Sequence, residues 1–207
     1  PTARTKGRSG VALPVERVYL ADTLGIFTPA EVTRYVELMV ASWPDSEFEF
    51  HGHNDFGVAT ANSIAAWRFG CRKVNVAFGG LGERTGNTSL EQMLASYIRL
   101  YGDPGFNLQV LPEMKSLIEK LVPIAANSPV IGDVFTTQAG IHQAGVARQE
   151  EAKGGLIYLA YDPALVGRST AERTVAGAMS GSEGIVAILN SEAEKRGLER
   201  RVTSTSR

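Results

Sequence analysis

Three times in succession a short apolar run ends in a cluster of polar residues and then gives way to a stretch with helical spacing. Val18 to Ala21 runs out at Asp22-Thr23, Phe48 to His51 leads into His51-Gly52-His53-Asn54-Asp55, and Lys73 to Phe78 leads into Gly79 through Asn87. After the first run, Thr28-Pro29 is a strong helix entry, with Thr as N-cap and Pro at the first helical position, and Val32, Tyr35, Val36 and Met39 mark one face. After the second, Ala59, Asn62, Ile64, Ala65 and Trp67 belong to a helix closing near Gly70, and after the third Thr88 to Tyr101 is helical. A buried parallel strand reads as a continuous apolar run, so the alternation predicts an α/β fold whose ligands sit beyond the carboxyl ends of the strands. All three polar clusters fall there.

The alternation stops at Gly102-Asp103-Pro104-Gly105, a turn signal that divides the chain. The expected organisation is a flexible segment over 1–15, strand-helix units over 16–105, a different, mainly helical region over 106–200, and a polar tail over 201–207. Within the second region, Pro112 to Ala126 has helical spacing, Gly132 to Gly155 is irregular and Ser182 to Lys195 reads as a last helix.

Bulk composition narrows the partners. With 21 Lys and Arg against 22 Asp and Glu, no basic field exists to hold a nucleic-acid backbone. No run of about 18 apolar residues suggests a membrane span, and the lone Cys71 offers no internal disulfide. A cytoplasmic protein is expected.

Chemistry concentrates at His51-Gly52-His53, which holds two of the three histidines in the chain. Side chains two apart on a strand point the same way, so both imidazoles can project into one cavity and share a metal ion. Alone, the pattern also fits a hydrogen-bonded surface pair. The loop Gly79-Gly80-Leu81-Gly82-Glu83-Arg84-Thr85-Gly86-Asn87 can bring further polar groups close, and its glycine order does not match a dinucleotide fingerprint. A Glu83–Arg84 ion pair is expected to shape it. Met114, Leu117, Ile118, Leu121 and Trp67 read as packing.

The stretch from Phe48 through His51-Gly-His53-Asn54-Asp55 to Ala61 resembles a signature of the isopropylmalate and homocitrate synthase family. Gly82-Glu83-Arg84-Thr85-Gly86-Asn87 is similar to that family's loop after the last barrel strand, and Asp22-Thr23-Leu24-Gly25 to its sixth-strand exit. Gly140-Ile141-His142-Gln143 and Tyr158 with Asp162 to Arg168 resemble its C-terminal subdomains.

The resemblance implies a partial TIM (β/α)8 barrel, its last three strand-helix units, followed by a mainly helical subdomain. It implies condensation of acetyl-CoA with a 2-oxo acid, aided by a divalent ion, Mg, Mn or Zn, held by His51, His53 and Asn87. Thr23 would donate a hydrogen bond to the substrate carboxylate. His142 and Tyr158 correspond to a pair that a neighbouring subunit inserts over the active site, which implies a homodimer or association with a chain that supplies the missing strands. An Asp-Arg-Glu segment that provides a further ligand and an enolate-stabilising arginine in the family does not occur among the 207 residues. Thr136, Thr137, Gln138 and Ala144 also depart from the family pattern around His142. Two alternatives stand beside the synthase: a non-catalytic piece that serves oligomerisation or partner binding, and a related acyl-CoA lyase, whose glycine-rich loop carries a cysteine that this loop lacks.

Overall fold

A computed structural model describes residues 4–6, 12–15, 17–125, 128–133, 159–168, 182–198 and 202–203. The chain divides into two units, Pro1–Phe106 and Asn107–Arg207. The first holds a three-stranded parallel sheet in the order β3 (Val18–Asp22), β4 (Phe48–Gly52), β5 (Lys73–Asn75). It also holds α1 (Pro29–Ser42), α2 (Ala59–Phe69) and α3 (Leu90–Tyr101), and a short antiparallel pair, β1 (Arg4–Lys6) with β2 (Ala12–Pro14). That pair replaces the loop expected near the N-terminus.

Why α1 starts where it does is visible in its cap. Thr28 Oγ1 accepts a hydrogen bond from the Glu31 backbone N–H, and Glu31 accepts one from the Thr28 N–H at 2.8 Å, a reciprocal capping box closed by Pro29. These bonds from Thr28 hold the Glu31 carboxyl below its usual range. Val32 and Val36 are fully buried, with Tyr35 and Met39 packed on the same core, as the spacing predicts.

The core forms on one face of the sheet. Leu20, Phe48 and Phe50 pack with Val32, Val36, Ala65, Ala66 and Cys71. Each phenylalanine contributes roughly 1.5–3 kcal/mol through burial. Because side chains alternate along a strand, Glu49, His51 and His53 are directed to the opposite face, where Arg17 Nη1 meets Glu49 Oε2 at 2.6 Å.

Two elements are shorter than their patterns suggest. β5 ends at Asn75 because the backbone then turns into a 3-10 segment, Phe78–Gly80, while the Ala77 N–H donates to the Thr88 carbonyl. Thr88 is itself buried in a hydroxyl pair with Ser63 at 2.7 Å, so Ser89 caps α3. Trp67 stacks on Tyr97, in keeping with a packing role.

In the second unit α4 (Leu111–Ile118) and α5 (Ser182–Lys195) are the α-helices among the described residues, with a 3-10 turn at Pro163–Val166. α4 stops short of the expected Ala126: turns follow, and Leu121 lies 82% exposed, so no core rewards another helical turn. Arg168 donates to the Gly132 carbonyl at 3.1 Å. Among the described residues no helix is long and apolar enough to cross a membrane.

Two measurements check this packing. Thr28→Ala is expected to lower unfolding stability by about 1 kcal/mol, read from the urea midpoint at unchanged slope. Burial pushes the Cys71 thiol up to about 11, above the ordinary ~8.5 of a free thiol. Native protein at pH 8.5 should therefore react with a thiol reagent only after denaturation. Since the unfolded thiol ionises first, the stability tied to Cys71 should decline as pH rises between those two values.

Candidate metal centre

The parallel strands end at one side of the sheet, and their exit loops meet there. His51 lies at the end of β4, paired in register with Ala21 of β3 and Asn75 of β5. His53 follows on the same face and forms an isolated antiparallel bridge with Asn87. Main-chain bonds lock the loops: His53 N–H to Asp22 O at 3.3 Å, Asn54 N–H to Gly86 O at 3.0 Å, and Asn87 N–H to Gly80 O at 2.9 Å.

The two imidazoles face each other. His51 Nε2 and His53 Nε2 are 3.1 Å apart, with the ring planes crossing at 83°. His51 Nδ1 sits 3.1 Å from Asn75 Oδ1. A proton on Nδ1, donated to that amide oxygen, leaves the Nε2 lone pair free. Asn75 was not singled out from the sequence; its position opposite His51 depends on strand register, which residue order alone does not reveal.

Two buried atoms here lack a hydrogen-bond partner: His53 Nδ1 and Asn87 Oδ1. The Asn87 amide is oriented by its other end, since Nδ2 donates to Leu81 O at 3.1 Å. An acceptor oxygen left buried and unpaired costs about 1–3 kcal/mol unless something binds it.

The spacing of the two imidazole nitrogens suits a shared divalent cation. With bonds of about 2.1 Å, nitrogens 3.1 Å apart subtend about 95° at a shared ion, close to cis positions of an octahedron. Among the described residues no group of three or more His, Cys, Asp or Glu surrounds a common point. A closed structural zinc site is therefore not formed by them.

Asp22 is buried at 3% exposure and accepts from the Ile26 and Phe27 backbone N–H groups at 3.0 and 3.2 Å, which folds the loop after β3. Thr23 at the tip of that loop is exposed. Arg84 does not make the expected pair with Glu83. It forks onto Asp55, through Nε and Nη2 at 2.8 Å each, and Nη2 also donates to the Thr23 carbonyl at 2.8 Å. This fork holds the Asp55 carboxyl below its usual range and raises the Arg84 guanidinium. The expected Glu83 partner loses because Asp55 offers both oxygens in the plane of the guanidinium. His142 and Tyr158 lie outside the described residues.

Gly25 and Gly82 are among the glycines required by close approach. Gly25 has φ +63°, and a Cβ there would lie 2.8 Å from the His53 carbonyl oxygen. At Gly82 a Cβ would collide with the Asn87 amide. Gly82→Ala should therefore displace that amide from Leu81; the measurement is the Asn87 side-chain NH2 resonance pair, expected to move toward solvent-exposed values, and an unshifted pair contradicts the contact.

A family model described as HMGL-like matches residues 9–118. The chain is 34% identical over 174 residues to the "Probable 2-isopropylmalate synthase" of Ignicoccus hospitalis, covering 82% of this chain and 42% of that protein. It is 34% identical over 178 residues to homocitrate synthase AksA of Methanopyrus kandleri, covering 84% and 43%. Among solved structures, hydroxymethylglutaryl-CoA lyase from Pseudomonas aeruginosa shares the fold, with TM-score 0.50 and 24% identity over 56% of this chain and 41% of that one. The chain thus spans less than half the length of these curated relatives.

Proposed function

Because this chain belongs to the HMGL-like family, we propose that it carries the metal-binding end of an acyltransferase that condenses acetyl-CoA with a 2-oxo acid. The observation that supports this most is the opposed pair of imidazole nitrogens, 3.1 Å apart at the carboxyl end of β4. In this reading the parallel sheet is a sector of a (β/α)8 barrel, and the remaining strands come from outside these residues. The matched relatives are named as isopropylmalate and homocitrate synthases, which supports the condensing chemistry over lysis. The glycine-rich loop also lacks a cysteine.

His51, His53 and Asn87 would hold the ion. A divalent cation bound there would supply Lewis-acid chemistry, polarising the keto group of a 2-oxo acid toward attack by an acetyl-CoA enolate. Asn75 keeps the His51 ring turned so that Nε2 stays available. Three uncharged donors would leave such an ion strongly electrophilic. Thr23, exposed at the mouth, would donate its hydroxyl proton to the substrate carboxylate in a hydrogen bond. His142 and Tyr158 would act over the site from a neighbouring subunit, His142 as acid or base near neutral pH.

The rival reading, a piece that only joins other chains, draws on the sheet. β3 and β5 each leave an edge unpaired within it, and unpaired edges favour association. Ion binding separates the two, since a purely structural piece has no use for it.

Calorimetry with Mn²⁺ is expected to show binding to the chain that falls tenfold or more in His51→Ala and in His53→Ala, on the order of what metal-site changes cost. Unchanged affinity in both variants would remove the metal assignment. A thiol-release assay of the chain alone, with acetyl-CoA and 2-oxoisovalerate, 2-oxoglutarate or pyruvate, should give negligible turnover, since the Asp-Arg-Glu segment is not among these residues. Substantial turnover would show that this chain needs nothing further.

A further inference from the structure

We propose that Arg84 is the positioning residue of this site: it clamps the three strand-exit loops and so fixes the placement of His53 relative to Asn87. The inference rests on the metal-site reading above and extends it to a residue outside the ligands that reading names.

Each loop supplies one part of the clamp. Arg84 comes from the loop after β5, three residues before Asn87; Asp55 comes from the loop after β4, two residues after His53; the Thr23 carbonyl comes from the loop after β3. All three contacts measure 2.8 Å, and two of them form a bidentate fork. Single exposed ion pairs contribute little, but a fork that also takes a third acceptor has one geometry and resists shear between the loops. A lysine ammonium has no such planar fork.

The backbone at Arg84 points the same way. Its φ is 57°, the left-handed region that residues with a Cβ avoid. Such a conformation persists only where its surroundings fix it. Here the turn is closed by the Gly86 N–H on the Glu83 carbonyl at 2.9 Å, and Gly86 O in turn accepts from Asn54 N–H. The strained residue is therefore the one whose side chain reaches back across both neighbouring loops. Gly25, against the His53 carbonyl, closes the third side.

The test uses the full chain, Mn²⁺ as the probe, and three variants: Arg84→Gln, Arg84→Lys and Asp55→Asn. Two readouts are taken: Mn²⁺ affinity from the free-ion electron paramagnetic resonance signal, and, without any ion, amide hydrogen exchange at His53 and Asn54, whose N–H groups bridge the loops. Each variant is expected to weaken Mn²⁺ about tenfold and to speed exchange at both amides, with Arg84→Lys failing to rescue. Asp55→Asn combined with Arg84→Gln should cost no more than either alone, because both remove one clamp. The proposal is overturned if exchange at His53 and Asn54 is unchanged in all three variants, or if the lysine variant matches the wild type in both readouts. The metal reading fails separately, if wild-type chain binds Mn²⁺ no better than His51→Ala; exchange then still decides whether Arg84 holds the loops.

Discussion

Burial of Phe48 and Phe50 beneath α1 and α2 is the constraint on which the site depends. A strand alternates its side chains, so seating these two rings in the core commits Glu49, His51 and His53 to the other face. A slip of one residue would exchange the two sets, placing imidazoles in an apolar core and phenylalanines beside the loops. The free energy of apolar packing thereby becomes positional precision for polar groups that contribute little to stability themselves.

Precision along the other directions comes from the loops. Main-chain hydrogen bonds knit each strand exit to its neighbour, and Asp22 folds the first loop by accepting two backbone N–H groups. Glycines appear where a Cβ would strike a carbonyl or the Asn87 amide. What remains after this tying is a small set of unpaired buried polar atoms, the acceptor oxygen Asn87 Oδ1 among them. Buried polar atoms ordinarily find a partner in protein, ordered water or an ion.

Much of this was legible in residue order. The cap at Thr28-Pro29, the buried stripe of Val32 and Val36, and the shared face of His51 and His53 follow from periods of 3.6 and 2 and from capping chemistry. Features that depend on register or on side-chain reach were not legible. Asn75 faces His51 only because β4 and β5 pair as they do, and Arg84 prefers Asp55 to its sequence neighbour because loop folding presents both carboxylate oxygens. β5 ended early for a similar reason: past Asn75 the chain turns into the 3-10 segment Phe78–Gly80, and the Ala77 N–H finds its partner in the distant Thr88 carbonyl. Local pattern cannot anticipate a partner supplied from far along the chain.

The bridge between His53 and Asn87 joins two loops separated by the whole of α2 and β5. The two backbones cannot pair until that intervening helix has docked and the strand has found its neighbour, and closing so long a segment is entropically demanding. On a growing chain, this bridge would consequently close as one of the last events in the maturation of this half, after its apolar interior has already condensed.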